Sequence, residues 1–75
     1  MTPALFDVVE LKRDILVESD LTGEFITLPV GESGTIVEVL NKTVFMVEFS
    51  EPNGEAIAMP TLKREDFEIK YKYPF

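Results

Sequence analysis

The sequence predicts a small all-β barrel, and three observations carry that reading. Gly31-Glu32-Ser33-Gly34 bends the chain into Thr35-Ile36-Val37-Glu38-Val39, and Val44-Phe45-Met46-Val47-Glu48-Phe49 follows after a short turn. These are two runs of β-branched and aromatic residues. Phe45, Val47 and Phe49 alternate with Val44, Met46 and Glu48, the period of a strand with one face in a core. Pro52-Asn53-Gly54 is a hairpin signal, because Asn-Gly supplies the positive φ values of a type I′ turn.

The elements follow in order. Residues 6–11 form the first strand, with Val9 and Leu11 on one face and Phe6 and Val8 on the other. Lys12 to about Val30 is a long connection punctuated by Gly23 and Pro29. A connection of that length in a compact domain is functional or has structure of its own. Phe25-Ile26-Thr27-Leu28 is apolar enough to supply a short strand or a lid over one barrel end. Residues 35–40 form the second strand, and Asn41-Lys42 a tight turn, since Asn tolerates positive φ.

Residues 43–50 form the third strand and 55–62 the fourth, with Ile57 and Met59 on one face and Ala56 and Ala58 on the other. Pro60 removes a ladder donor and places an edge or a bend there. Lys63 to Phe67 suits a single 3₁₀ turn, and residues 68–71 the fifth strand. The expected core is Val9, Leu11, Ile36, Val39, Phe45, Val47, Phe49, Ile57 and Leu62. Five short strands, a long first loop and one 3₁₀ turn before the last strand describe a Src-homology-3-like barrel, whose closure hides sheet edges. Residues 1–75 read as one domain, with a core over about 5–70 and an aromatic, partly ordered tail at 71–75.

The motifs resemble a known family. They are Phe6-Asp7-Val8-Val9-x-Leu11, Leu28-Pro29-x-Gly31-x-x-Gly34-Thr35-Ile36-Val37-Glu38-Val39, Val47-Glu48-Phe49 and Asn53-Gly54-Glu55-x-Ile57-Ala58. In this order they are similar to a bacterial and cyanobacterial family of small proteins that carries a domain-of-unknown-function label and resembles Src-homology-3-like barrels in plan. The resemblance spans about residues 5–69 and rests on turn glycines and alternating apolar positions. It implies a fold and no catalytic residues. A more distant likeness is to the photosystem I reaction-centre subunit IV, a small barrel that helps dock acidic ferredoxin. The acidity of this chain opposes that role by like charge.

Composition narrows the function classes. Fourteen acids against seven bases give a net charge of −7. Residues 1–60 hold eleven of the acids and three of the bases, whereas residues 61–75 are net +1. Such a surface repels phosphate backbones and anionic lipid, and suits a basic partner or serves solubility. There is no cysteine to supply a disulfide or a thiolate site, so so small a chain folds on packing or on a partner. The N-terminus has no basic and apolar leader pattern, and no apolar run spans a bilayer, so a cytoplasmic protein is expected.

The chemistry-bearing residues point away from catalysis. The chain has no histidine, the commonest general base and metal ligand. Its hydroxyl residues sit in no nucleophile pattern, and Glu65-Asp66 reads as favourable charge at a helical turn. Asp14, Glu18, Asp20 and Glu24 do not match a calcium-loop spacing. Gly31-x-x-Gly34 lacks the Lys-Ser/Thr of a phosphate loop. No enzyme activity, cofactor or metal is expected.

Two function classes survive. The first is a non-catalytic protein-interaction module, one form of it an antitoxin-like or immunity-like acidic inhibitor of a basic protein. Its interaction surface is assigned to Phe25, Ile26 and Leu28 in the loop, Val44 and Met46 on the outward face of the third strand, and Tyr71, Tyr73 and Phe75 in the tail. With 45% apolar residues, so small a chain leaves some of these uncovered, and a homodimer through the third strand or the tail is one way to cover them. The resemblance implies a groove between the long first loop and the second hairpin, but without tryptophan and with both tyrosines C-terminal, proline-rich ligands do not fit. The second class is a nucleic-acid binder using Lys63, Arg64, Lys70 and Lys72 interleaved with Phe67, Tyr71 and Tyr73. The surrounding acids argue against it.

Overall fold

A computed structural model describes residues 2–74 and is all-β, with a single 3₁₀ turn at Arg64–Asp66. Eight strands are present where five were expected. They are β1 (Val8–Leu11), β2 (Ile15–Glu18), β3 (Phe25–Leu28), β4 (Ser33–Val39), β5 (Val44–Ser50), β6 (Ala56–Ala58), β7 (Thr61–Lys63) and β8 (Phe67–Tyr71). The main sheet runs β6-β5-β4-β1-β8, with β7 also on β5, and every pair is antiparallel. Strands β2 and β3 form a separate two-stranded sheet. The expected barrel closure is not made: among the described residues no strand pairing joins β8 to β6 or β7.

The extra strands have local causes. The expected fourth strand divides at Met59-Pro60 into β6 and β7, both against β5. Proline has no N–H to continue the ladder, and only its carbonyl is used, accepting from Val47 at 3.1 Å. The long connection after β1 is a hairpin. Its Ile15-Leu16-Val17-Glu18 half escapes recognition because alternation over four residues is a weak signal between charged neighbours.

The core gathers β1, β4, β5, β7 and β8 around Phe45 and Phe67, whose rings meet edge to face at 5.5 Å. Such a pair is worth about 1 kcal/mol beyond its buried area. Val9, Leu11, Ile36, Val47, Phe49 and Leu62 are buried as expected. Val39 is 43% exposed, and Ile57 is only partly buried. A register shift between Ile36 and Glu38 takes the end of β4 off the core alternation. Ile15, Val17, Leu28 and Ala58 extend the core beneath the hairpin.

The turns also depart from expectation. Gly31 bends the chain at φ 91°, but Gly34 lies inside β4 and serves close approach: a Cβ there would sit 2.8 Å from both Phe49 and Val47 side chains. Asn41 has no positive φ. Its carboxamide oxygen instead accepts from the Thr43 N–H at 2.8 Å. The Pro52-Asn53-Gly54 hairpin is not type I′, since only Gly54 has positive φ, at 88°. Gly54 N–H donates to the Glu51 carbonyl at 2.8 Å, and Glu51 N–H to the Glu55 carbonyl at 2.8 Å. That is a three-residue connection with a left-handed glycine before the return strand.

Candidate functional site

The hairpin β2–β3 is held at both ends. At its tip Ser19 N–H donates to the Glu24 carbonyl at 2.8 Å, and Gly23, at φ 75°, donates back to Ser19 at 2.8 Å. At its base the Asp14 carboxylate accepts from Val30 N–H at 2.8 Å. The register pairs Leu16 with Thr27 and Glu18 with Phe25. Opposed residues share a face, so these four point outward while Ile15, Val17, Ile26 and Leu28 point to the core. Phe25 is 70% and Leu16 68% exposed.

A cleft of about 260 Å³ opens between this hairpin and the kink after β6. One wall is Leu16, Val17, Glu18 and Asp20; the other is Ala58, Met59 and Pro60. Among the described residues one backbone hydrogen bond, Asp20 N–H to the Ile57 carbonyl at 2.6 Å, joins the two walls. The floor is apolar through the buried Val17 and Ala58, and Met59, 40% exposed, stands at the lip. The charged groups lining it are Glu18 and Asp20, so its potential is negative. It is smaller than the roughly 300–1,000 Å³ of sites that enclose a metabolite.

A second feature ties the first turn to Lys72 and Tyr73 near the other end of the chain. Asp7 is fully buried, and its carboxylate accepts from Ala4 N–H at 2.8 Å, Tyr73 N–H at 2.8 Å and the Lys72 ammonium at 2.5 Å. Lys72 also donates to the Thr2 carbonyl at 2.7 Å. Burial pushes the Asp7 carboxyl up. The hydrogen bond from Lys72, those from Tyr73 and Ala4, and the ammonium charge outweigh it and hold the group below its ordinary value. Within the tail expected to be partly ordered, this clamp pins Lys72 and Tyr73 to the first turn. That turn puts Phe6 at φ 70°, rare for a bulky residue, with its ring 5.4 Å from that of Tyr73.

The residues singled out from sequence separate into three groups. Phe25, Tyr71 and Tyr73 are exposed. Leu28 is buried at 4% and Ile26 is half-buried against the core, because the alternation of β3 turns both inward. Val44 and Met46 are half-buried, opposite Lys63 and Thr61 of β7. Phe75 lies outside the described residues. Leu16 and Met59 were missed, and the signal for Leu16 is its pairing across a hairpin that four-residue alternation alone does not reveal.

The C-terminal cations are largely engaged within the fold. Arg64 donates to the Phe67 carbonyl at 2.8 Å and lies over the buried Phe67 ring. Lys70 meets Glu10 at 3.5 Å, and Lys72 is held by Asp7. Asp66, the buried last residue of the 3₁₀ turn, accepts from Lys63 N–H at 2.9 Å and from Arg13 Nε at 2.8 Å. Among the described residues no cluster of acids is arranged to hold a metal ion, and no helix is long and apolar enough to cross a membrane.

Set against known families, the chain matches the one described as Domain of unknown function (DUF4926) over residues 5–69. No curated protein and no solved structure matches it.

Proposed function

The chain belongs to the DUF4926 domain family, and we propose that it is a non-catalytic protein-interaction module whose partner presents a basic surface with an apolar anchor. The cleft between the hairpin and the Met59-Pro60 kink carries this reading. It combines what an interface core and rim require: apolar floor, exposed Leu16 and Met59, and carboxylates of Glu18 and Asp20 at the edge. Phe25 continues the same outward hairpin face. The strand order, with a hairpin in the first connection and a 3₁₀ turn before β8, supports a Src-homology-3-like plan left open along one side. An inhibitor of the antitoxin or immunity kind is one form such a module takes.

The engagement of Arg64, Lys70 and Lys72 within the fold supports this reading over nucleic-acid binding. Parallel titrations test it, using a Lys/Arg-rich peptide with apolar residues interspersed and a single-stranded oligonucleotide. The peptide binds the wild type, more weakly as salt rises, and Leu16→Glu abolishes binding. Oligonucleotide binding that Lys70→Glu removes, with no peptide binding, overturns it.

A further inference from the structure

The cleft walls are two strand edges, and the hydrogen-bond parity shows which backbone groups face the space between them. On the hairpin side, Ser19 bonds to Glu24 just before the return strand and in the same register, so Val17 and Ile15 turn their backbone groups the same way, toward β3. Leu16, Glu18 and Asp20 therefore turn theirs away from β3. The Asp20 N–H bond to Ile57 confirms the direction. On the other side, Val47 bonds to Pro60 and pairs in register through Phe45 with Leu62. Pro60 and Leu62 thus face β5, while Ile57 and Met59 face the hairpin. Among the described residues no group is hydrogen-bonded to the Met59 backbone.

We propose that the cleft takes an extended segment of a partner protein by strand addition, the segment lying between the outward backbone edge of β2 and that of Met59 and carrying basic residues on its rim-facing side. This rests on the reading of the cleft as a protein-binding site and specifies its mode. The two sheets already touch through the Asp20–Ile57 bond and diverge beyond it. An inserted strand continues the contact, hydrogen-bonding Leu16 and Glu18 on one edge and Met59 on the other. Unpaired strand edges are templates for such pairing. Side chains alternate along the segment. Those on one side meet Val17 and Ala58 at the floor, and those on the other reach Glu18 and Asp20. The cleft is short, so the segment contributes a few residues and the carboxylates select cationic ones.

The test selects short peptides from a random displayed library against the full chain, then synthesises each binder with and without backbone N-methylation at alternate positions. Amide exchange of the bound protein is read by NMR. Selected sequences carry Lys or Arg at every second position. They slow exchange at the Leu16, Glu18 and Met59 amides, and N-methylation weakens binding in both parities, by about tenfold in the one whose amides face Leu16 and Glu18 and by less in the one whose amides face Met59. Binders lost on Leu16→Glu that leave those amides exchanging freely, with both parities of methylation tolerated, overturn strand addition while the cleft remains a docking site. Binders that map elsewhere, or a selection that yields none, overturn both.

Discussion

The Asp7 carboxylate and the Lys72 ammonium lie 2.5 Å apart, joining residues 65 positions distant in the chain. Asp7 is inaccessible to solvent and Lys72 is only partly so. The pair closes the sheet end where β1 begins and β8 finishes, and it holds Lys72 and Tyr73 beside the first turn.

Acid should weaken the fold through this carboxylate. Its value in the folded chain is below the ordinary one. The stability it contributes is therefore fully present above the unfolded carboxylate's value, about 3.9, and is lost as pH falls through the lower folded value. Urea midpoints measured downward from about pH 5 should fall, and more steeply in wild type than in Asp7→Asn. Near neutral pH, Asp7→Asn should cost about 2–3 kcal/mol, because an amide offers fewer acceptors to three donors. Equal slopes in the two proteins would show that Asp7 does not set the acid limit.

Gly34→Ala should destabilise by about 1–3 kcal/mol, the cost of overpacking a filled core. The new methyl meets the Glu48 carbonyl oxygen at 2.9 Å as well as Phe49 and Val47, and a backbone atom cannot rotate away. Thermal unfolding measures it. Gly34→Ala with Phe49→Leu should lose less than the sum of the two single changes, since the double change frees one of the three contacts.

Gly54→Val should cost about 1–3 kcal/mol, all of it from backbone conformation, because nothing lies within 4 Å of a Cβ there. Asn53→Ala should cost about 1 kcal/mol through loss of its carboxamide bond to Glu55 N–H. Asn53 needs no positive φ, so Asn53→Asp should melt close to wild type. A large loss in Asn53→Asp would show that Asn53 contributes more than its acceptor for Glu55 N–H.

At Phe6 the side chain and the backbone pull against each other. Phe6→Val keeps an unfavourable φ, adds β-branching and loses the Tyr73 ring contact, whereas Phe6→Asn loses the ring but suits the left-handed region. Calorimetry should rank Phe6→Val below Phe6→Asn by about 1 kcal/mol. The reverse order would mean that the turn relaxes out of positive φ.

Much of this protein was written in local pattern. The alternation of Phe45, Val47 and Phe49 specified a central strand and its buried face. Pro60 broke the strand where its missing donor required, and Lys63 to Phe67 held the single turn of 3₁₀ helix. These features depend on residues within a few positions of one another, so their physics is visible along the chain. Tertiary structure alone decided what depends on distant partners. Gly34 is required by the closeness of β5, and Asp7 is buried as an ion because Lys72 and Tyr73 arrive from the far end. Leu28 turns inward, and Leu16 outward beside Met59, through the register of a hairpin that a four-residue alternation signals too weakly. The cleft exists because two strand edges, β2 and the kinked β6–β7, meet at one hydrogen bond and separate beyond it, a relation between segments that no spacing within either one encodes.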